Sequence, residues 1–432
     1  MIGSARSTFG TRLAERADPI ALTLAASRLD PRVKRPGAGS LSRRRRDRCT
    51  YGTQMRPIIL VQPEFPATAA RTPLLVYRDR IGAPSEVQFL RRQYVGFTRL
   101  APVWTGRHIM PQAPALGGSV FLLGGNGPAG WLARALFRHV GRLPAIPLTH
   151  VAPVLHAQFA RGGALALPLA RSLGLRLVVT LHGGDVSKAK NWRGTVQSRR
   201  WPAVVAAASH FVCVSAAVAD AALAHGVPRD KLVVLPIGVE VPDAPPPAPQ
   251  GPPCHLFVGR FVPKKGIGVL ADAVRRLRAA GDSTPVVCIG DGPDRPALEM
   301  LCRDAGGVTL TGWLPSDAVA AHMARAWSLL VPSIIAADGD AEGLPSVIPE
   351  AMAQACPIIG SDQGGIAEAV RHNETGLLVP PGDPAALAEA MHRLVSEPQL
   401  RHGMGQAAFG FVRTRLNAHL QSAALENLLL EV

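Results

Sequence analysis

One segment constrains this chain more than any other: P-D-A-P-P-P-A-P-Q-G-P-P, residues 242–253. Proline fixes φ and lacks an amide N–H, so a stretch that is more than half proline can be neither helix interior nor central strand. It reads as an extended, semi-rigid interdomain linker; the other reading is a surface loop within one domain. The same pattern lies on both sides of it. Before it, apolar runs at 57–62, 119–123, 151–156, 176–181, 210–214 and 232–236 read as strands, with helical patterns such as 162–173 between most of them. After it come strands at 255–259, 285–289, 308–311, 329–332 and 356–360, helices at 266–280, 294–304, 316–326, 346–355 and 384–396, and a final helix over 405–432. Continuous apolar strands alternating with helices predict parallel sheets covered on both faces. The expected architecture is α/β: two doubly wound, Rossmann-like domains, 55–241 and 254–404, facing across a cleft about a proline hinge. In such sheets the ligand sits at the carboxyl ends of the strands.

The net charge of +16 suggests nucleic acid at first. Residues 1–54, however, hold 12 Lys and Arg against 4 Asp and Glu, half of the whole excess. That segment, around L-S-R-R-R-R-D-R-C (41–49), has weak periodicity and reads as a disordered tail. Met55, just before P-I-I-L-V-Q, reads as a second candidate start; a basic arm for anionic lipid or nucleic acid is the competing reading. No nucleic-acid partner is expected of the remainder. Six cysteines (49, 213, 254, 288, 302, 356) form no C-x-x-C pair and sit mostly in apolar runs, which suits buried thiols in a reducing cytosol. No stretch reaches about 18 uninterrupted apolar residues. The expectation is a cytoplasmic protein, soluble or peripheral on the inner face of the plasma membrane.

Two constellations carry chemistry. In F-V-G-R-F-V-P-K-K-G-I-G-V-L (257–270) a strand ends at Gly259 and a helix starts near Gly266, with Arg260 and Lys265 in the loop between. Two cations beside a helix start, where N–H groups are open, suit a diphosphate; a solvated basic loop is the alternative. In E-G-L-P-S-V-I-P-E (342–350), Pro349 is tolerated only in a first helical turn, so the helix begins just before it, with Ser346 as N-cap. Gly343, Leu344, Pro345, Ser346 and Val347 then form a second anion cradle, flanked by Glu342 before the helix and Glu350 one turn inside it. Each carboxylate can accept hydroxyl hydrogen bonds, and vicinal hydroxyls are what ribose and hexose present. The plainer alternative is a surface glutamate and a favourable charge near a helix start.

The order G-R-F-V-P-K-K-G, V-V-C-I-G-D-G-P, L-T-G-W-L, E-G-L-P-S-V-I-P-E-A-M-A, S-D-Q-G-G-I-A-E, N-E-T-G-L-L-V-P-P-G-D, spread over about 254–400, resembles the nucleotide-sugar-binding half of glycosyltransferase family 4. Members of that family have the GT-B fold and retain anomeric configuration. The resemblance implies that Arg260 and Lys265 hold the donor diphosphate, that Glu350 binds ribose, that Glu342 binds the transferred sugar, and that backbone near Trp313 and Leu314 touches the base. The first half is similar more loosely to the exopolysaccharide and colanic-acid branch, through P-S-E-V-Q-F-L-R-R-Q (84–93, with Glu86), V-L-H-A-Q-F (154–159) and V-V-T-L-H-G-G-D (178–185). There His182 is the leading cleft residue. Gly183 and Gly184 would allow close approach to the donor, and Asp185 would orient His182 or bind acceptor. His156, Gln158 and Glu86 are the other acceptor-side candidates. Two departures stand out: His156-Ala-Gln158 replaces the common His-x-His, and L-P-I-G-V-E (235–240) replaces Pro-Asn-Gly-Val-Asp.

Three motifs compete. D-G-D (338–340) has a metal–diphosphate form, but Arg260 and Lys265 already supply cations, so no metal and no other cofactor is expected. I-G-D-G-P-D-R (289–295) carries Arg295 where a dinucleotide fingerprint needs its third glycine. L-L-G-G-N-G-P-A-G (122–130) reads as an acceptor-side loop or a tight turn. The function implied is a metal-independent hexosyltransferase acting from a nucleotide sugar onto a glycan or lipid-linked acceptor in cell-surface polysaccharide biosynthesis. A nucleotide-sugar epimerase of the same fold and a non-catalytic binding partner in a polysaccharide assembly complex are the rival readings.

Overall fold

A computed structural model describes residues 71–125, 127–140, 151–249 and 251–432, all within the compact unit Gln62–Val432. The tail 1–54, Met55 and the candidate strand 57–62 lie outside the described residues.

The first lobe is a seven-stranded sheet in the order Ser119–Leu122, Leu100–Gly106, Thr72–Tyr77, Val154–Gln158, Arg176–Leu181, Ala208–Cys213, Leu232–Val234. Every pairing in it is parallel. Strand order reverses between Thr72–Tyr77 and Val154–Gln158, and this switch point is where a doubly wound sheet opens a crevice at its carboxyl edge. Two strands at the centre of the sheet, Thr72–Tyr77 and Leu100–Gly106, have no counterpart among the sequence expectations. Each contains a proline, which argues against a central strand. The sheet accommodates both: Pro73 lies at the second residue of its strand, and pairing of Leu100–Gly106 with Ser119–Leu122 begins at Val103, past Pro102.

The second lobe has six strands in the order Val308–Gly312, Val286–Ile289, His255–Val258, Ser328–Val331, Ile358–Ser361, Gly376–Val379, again all parallel and with the same reversal. Gly376–Val379 is also beyond the expectations; its G-L-L-V is too short a run to separate from a loop. Apolar clusters cover both faces of each sheet. Cys213, Cys288 and Cys356 are buried in these layers, and burial raises all three thiols, the first two to about 12.

The lobes are joined differently from the proline hinge that the sequence predicts. The chain crosses at Val239, whose N–H donates to Leu416 O and whose carbonyl accepts from Ala418 N, both at 2.8 Å. Outgoing and returning crossings therefore run side by side, and Pro246, Pro247 and Pro249 lie beyond them, against Trp327 and Arg401 of the second lobe. The terminal segment is likewise two helices rather than one: Pro398–Arg415, then Ala418–Glu431 capped by the Asn417 side chain. The second of these returns to the first lobe, where Leu425, Leu429 and Val432 join a cluster with Leu74, Val76 and Trp104. Among the described residues, no helix is long and apolar enough to cross a membrane.

Glu426 fixes that return. Its carboxylate accepts from the N–H groups of Thr98 (3.0 Å), Arg99 (2.7 Å) and Leu100 (2.7 Å). Glu426→Ala leaves three donors without their acceptor and should cost roughly 2–4 kcal/mol of stability, read as a lower midpoint in urea unfolding.

Candidate active site

The carboxyl edges of the two sheets meet backbone to backbone. A Cβ on Gly183 (φ 114°) would stand 2.7 Å from Gly343 N, and one on Gly343 would stand 2.5 Å from His182 O. Only glycine permits this approach. The seam continues with Ala189 N donating to Asp338 O (3.1 Å) and Ala341 N to Ser187 Oγ (3.2 Å). Glu368 of the second lobe accepts from Ala216 N and Ala217 N at 2.7 and 2.8 Å, capping the first-lobe helix Ala216–Ala224.

Charges gather along this seam. Lys265 Nζ stands 3.0 Å from Glu342 Oε1, and Lys264 Nζ stands 3.6 Å from the same atom and 3.2 Å from Asp340 Oδ1. From the first lobe, Lys188 Nζ reaches Asp340 Oδ2 at 2.7 Å. Burial raises the Glu342 carboxyl, but Lys265 and then Lys264 outweigh it and hold the group below its ordinary value, so it is ionised. Lys265 and Lys264 meet this buried oxygen as ion pairs, and among the described residues it has no other partner. A carboxylate oxygen held by two ammonium groups alone keeps lone-pair capacity for a further hydroxyl. A cavity of about 180 Å³ opens beside it, lined by Val186, Ala217, Val218, Ile335 and Gln363 among others.

The remaining second-lobe candidates lie on separate loops and helix starts. Arg260 is exposed in the loop after His255–Val258, and Gly266 is the N-cap of helix Ile267–Ala279. Ser346 occupies the N-cap position of the next candidate helix but its side chain makes no capping bond, and the helix is shorter than expected, Val347–Ala353. Pro349 falls in its first turn. Glu350 Oε1 accepts from Arg92 Nη1 of the first lobe at 2.5 Å. Trp313 and Leu314 follow the edge strand Val308–Gly312, with Trp313 62% exposed and Leu314 packed against the core.

His182 stands at the end of Arg176–Leu181, its ring 4.2 Å from that of Phe159 and 5.3 Å from that of Phe89. A hydrogen-bonded chain fixes its tautomer. Gln158 Nε2 donates to Gln93 Oε1 (2.9 Å) and to Tyr94 OH (2.7 Å), so its Oε1 accepts from His182 Nε2–H at 2.8 Å. Tyr94 OH then donates to His156 Nδ1 (2.8 Å), and His156 Nε2–H donates to Thr180 Oγ1 (2.7 Å). This leaves His182 Nδ1 with its lone pair. Burial first, then the Arg78 guanidinium and His156, push His182 down to about 3, so the ring is neutral.

Several acceptor-side expectations are corrected by this arrangement. His156 and Gln158 are fully buried and have no surface to offer an acceptor; Gln158 bonds the His182 ring, and His156 bonds Tyr94 and Thr180. Asp185 Oδ1 accepts from His182 N (2.9 Å) and Oδ2 from Ala160 N (2.8 Å), so backbone uses both oxygens. Glu86 is held bidentately by Arg78, at 2.7 and 2.6 Å. Asp340 of the D-G-D motif is already neutralised by two lysines, a poor donor set for a cation. Among the described residues, no group of three or more His, Cys, Asp or Glu is arranged to hold a metal ion.

The sequence reading missed Arg78, Arg92, Lys188 and Lys264. Arg78 ends the unrecognised strand Thr72–Tyr77 at the switch point, with its guanidinium 4.3 Å over Phe159; identifying that strand would have flagged it. Lys264 adjoins Lys265 in the motif. Arg92 and Lys188 are recognisable only from partners more than a hundred residues away.

Known proteins are similar to this chain in sequence and fold. The family model described as Glycosyltransferase Family 4 covers residues 112–242, and the one described as Glycosyl transferases group 1 covers residues 252–397. The amylovoran biosynthesis glycosyltransferase AmsK of Erwinia amylovora is 30% identical over 318 residues, which span 67% of this chain and 76% of that protein. The chain belongs to glycosyltransferase family 4. This transferase is also 35% identical over 172 residues to the putative colanic acid biosynthesis glycosyltransferase WcaL of Escherichia coli, spanning 38% of this chain and 42% of that one. Its two-lobed fold is GT-B. It superposes on Anabaena HepE, solved in complex with UDP, with a TM-score of 0.65 at 17% identity, covering 84% of this chain and all of the other.

The buried imidazoles give the transferase an acid limit. Burial pushes His156 to about 3 and His255 to about 4, alongside His182. Between these values and the unfolded value near 6.5 the unfolded chain binds more protons than the folded one. Stability is thus complete above about 6.5 and is lost as pH falls toward 3. The thermal midpoint should fall steadily from pH 7 to pH 4.5, and His255→Asn should flatten that slope.

Proposed function

We propose that this transferase moves a hexose, with retention of configuration, from a nucleoside diphosphate to a glycan or lipid-linked acceptor during cell-surface polysaccharide assembly. The observation that carries this reading is the buried, ionised Glu342, one oxygen of which is met only by the ammonium groups of Lys264 and Lys265, where the two sheet edges meet. A hexose hydroxyl completes that oxygen; the lysines suit the diphosphate that the hexose carries.

In this reading Arg260 and Lys265 grip the diphosphate, Glu350 takes the ribose hydroxyls, and the base lies along Trp313 and Leu314. The backbone from Gly343 to Val347 closes on the phosphates. His182, neutral and fixed by Gln158, faces the hexose, with Gly183 and Gly184 allowing contact. Charge that develops on the leaving diphosphate meets preorganised cations in a site of low dielectric. The leaving phosphate takes the acceptor proton, so no protein group is assigned as general base. Lys264, Lys265 and Arg260 supply the positive charge that a metal supplies elsewhere, which supports metal-independent transfer.

For location, the reading is a cytoplasmic enzyme peripheral to the inner membrane face. Trp131, Leu132 and Leu136 stand 67%, 54% and 47% exposed on the first-lobe helix Gly127–Val140, which supports contact with a lipid surface.

A thermal-shift panel of UDP, GDP, ADP and dTDP sugars should select one donor. With that donor, and with EDTA present, Lys265→Ala and Arg260→Ala should each lower kcat about 10²–10³-fold; exposed Arg260→Ala should leave the unfolding midpoint in place, whereas Lys265→Ala, which removes a partner of buried Glu342, should lower it. Transfer that survives both substitutions overturns the diphosphate assignment.

A further inference from the structure

The carboxylate read as the ribose partner is already taken. Arg92 Nη1 donates to Glu350 Oε1 at 2.5 Å, and the pair bridges the cleft from helix Val87–Arg92 of the first lobe to helix Val347–Ala353 of the second. The two side chains are only 16% and 24% exposed, so the bond is poorly screened. One turn earlier on the same helix face, Gln88 Nε2 donates to Ser316 Oγ of the second lobe at 2.9 Å. The short helix is thus fastened across the cleft at two points, four residues apart, and one of them is a binding group.

A vicinal diol engages a carboxylate through both oxygens, so the Arg92 guanidinium on Oε1 competes with it for one of them. We propose that Arg92 is a latch on Glu350: it fastens the cleft, competes with ribose for the carboxylate, and so lowers donor affinity. The proposal rests on the reading of Glu350 as the ribose carboxylate. Apparent affinity falls in proportion to the fraction of molecules that are competent to bind. A latch closed in about nine of ten free molecules therefore weakens donor binding about tenfold.

A double-mutant cycle tests this. Isothermal titration with UDP and with GDP is run on the wild type, Arg92→Met, Glu350→Gln and the double variant. Arg92→Gln serves as a second latch variant, and thermal unfolding checks that each is folded. With Glu350 present, Arg92→Met and Arg92→Gln should each tighten binding of the nucleotide that the enzyme takes, about tenfold; in the Glu350→Gln background Arg92→Met should change nothing. Unchanged or weaker binding on loss of Arg92 overturns the latch and leaves the ribose reading standing if Glu350→Gln still weakens binding. If Glu350→Gln has no effect in the Arg92→Met background, the ribose assignment falls, and the latch with it. Binding of neither nucleotide to any variant removes the donor-site reading altogether.

Discussion

The contact on which the rest depends is the passage of backbone against backbone at Gly183 and Gly343, where neither residue has room for a Cβ. It brings the carboxyl edges of two parallel sheets close enough for charges on one lobe to answer charges on the other. Lys188 reaches Asp340, and Arg92 reaches Glu350. Within the second lobe Lys265 and Lys264 share Glu342. The charges of the cleft are thus paired with one another. A diphosphate entering it would take over the lysines, and hydroxyls would take over the carboxylates, so that the donor exchanges partners with groups already charged and in place.

The first lobe prepares the other half of the site by rigidity. Thr180, His156, Tyr94, Gln158 and His182 form one hydrogen-bonded chain through the interior. Phe159 stacks on the His182 ring from a backbone with φ 70° and ψ 154°, a region that costs a non-glycine residue roughly 1–3 kcal/mol. The Arg78 guanidinium lies over the Phe159 ring and pairs with Glu86. Such strain persists only where the surroundings over-determine it, and here they set the orientation of one imidazole. Gln158 in the place of a second histidine fits this scheme: an amide donates twice and accepts once without titrating.

Much of this was legible in the sequence where neighbouring residues carry the meaning. The run from Glu342 to Glu350 announces a loop, a proline-marked helix start and two carboxylates. The alternation of V-V-C-I or R-L-V-V-T-L with helices announces parallel sheets. What could not be read depends on pairing at a distance. Thr72–Tyr77 and Leu100–Gly106 hide behind Pro73 and Pro102, because only the sheet reveals where a missing N–H does no harm. His156 looks like a binding residue until its full burial is known. The hinge looked like the prolines, whereas the paired crossings at Val239 and Leu416–Ala418 make the junction. Arg92 and Lys188 look like ordinary surface cations until the lobes face each other.

The most direct test of the account is a crystal structure of the enzyme with its nucleoside diphosphate. The account places the diphosphate within hydrogen-bonding distance of Lys265 and Arg260 and the ribose hydroxyls on Glu350, with Arg92 turned away. A nucleotide bound outside the seam between Gly183 and Gly343, or one bound there with Glu350 still held by Arg92, would contradict it.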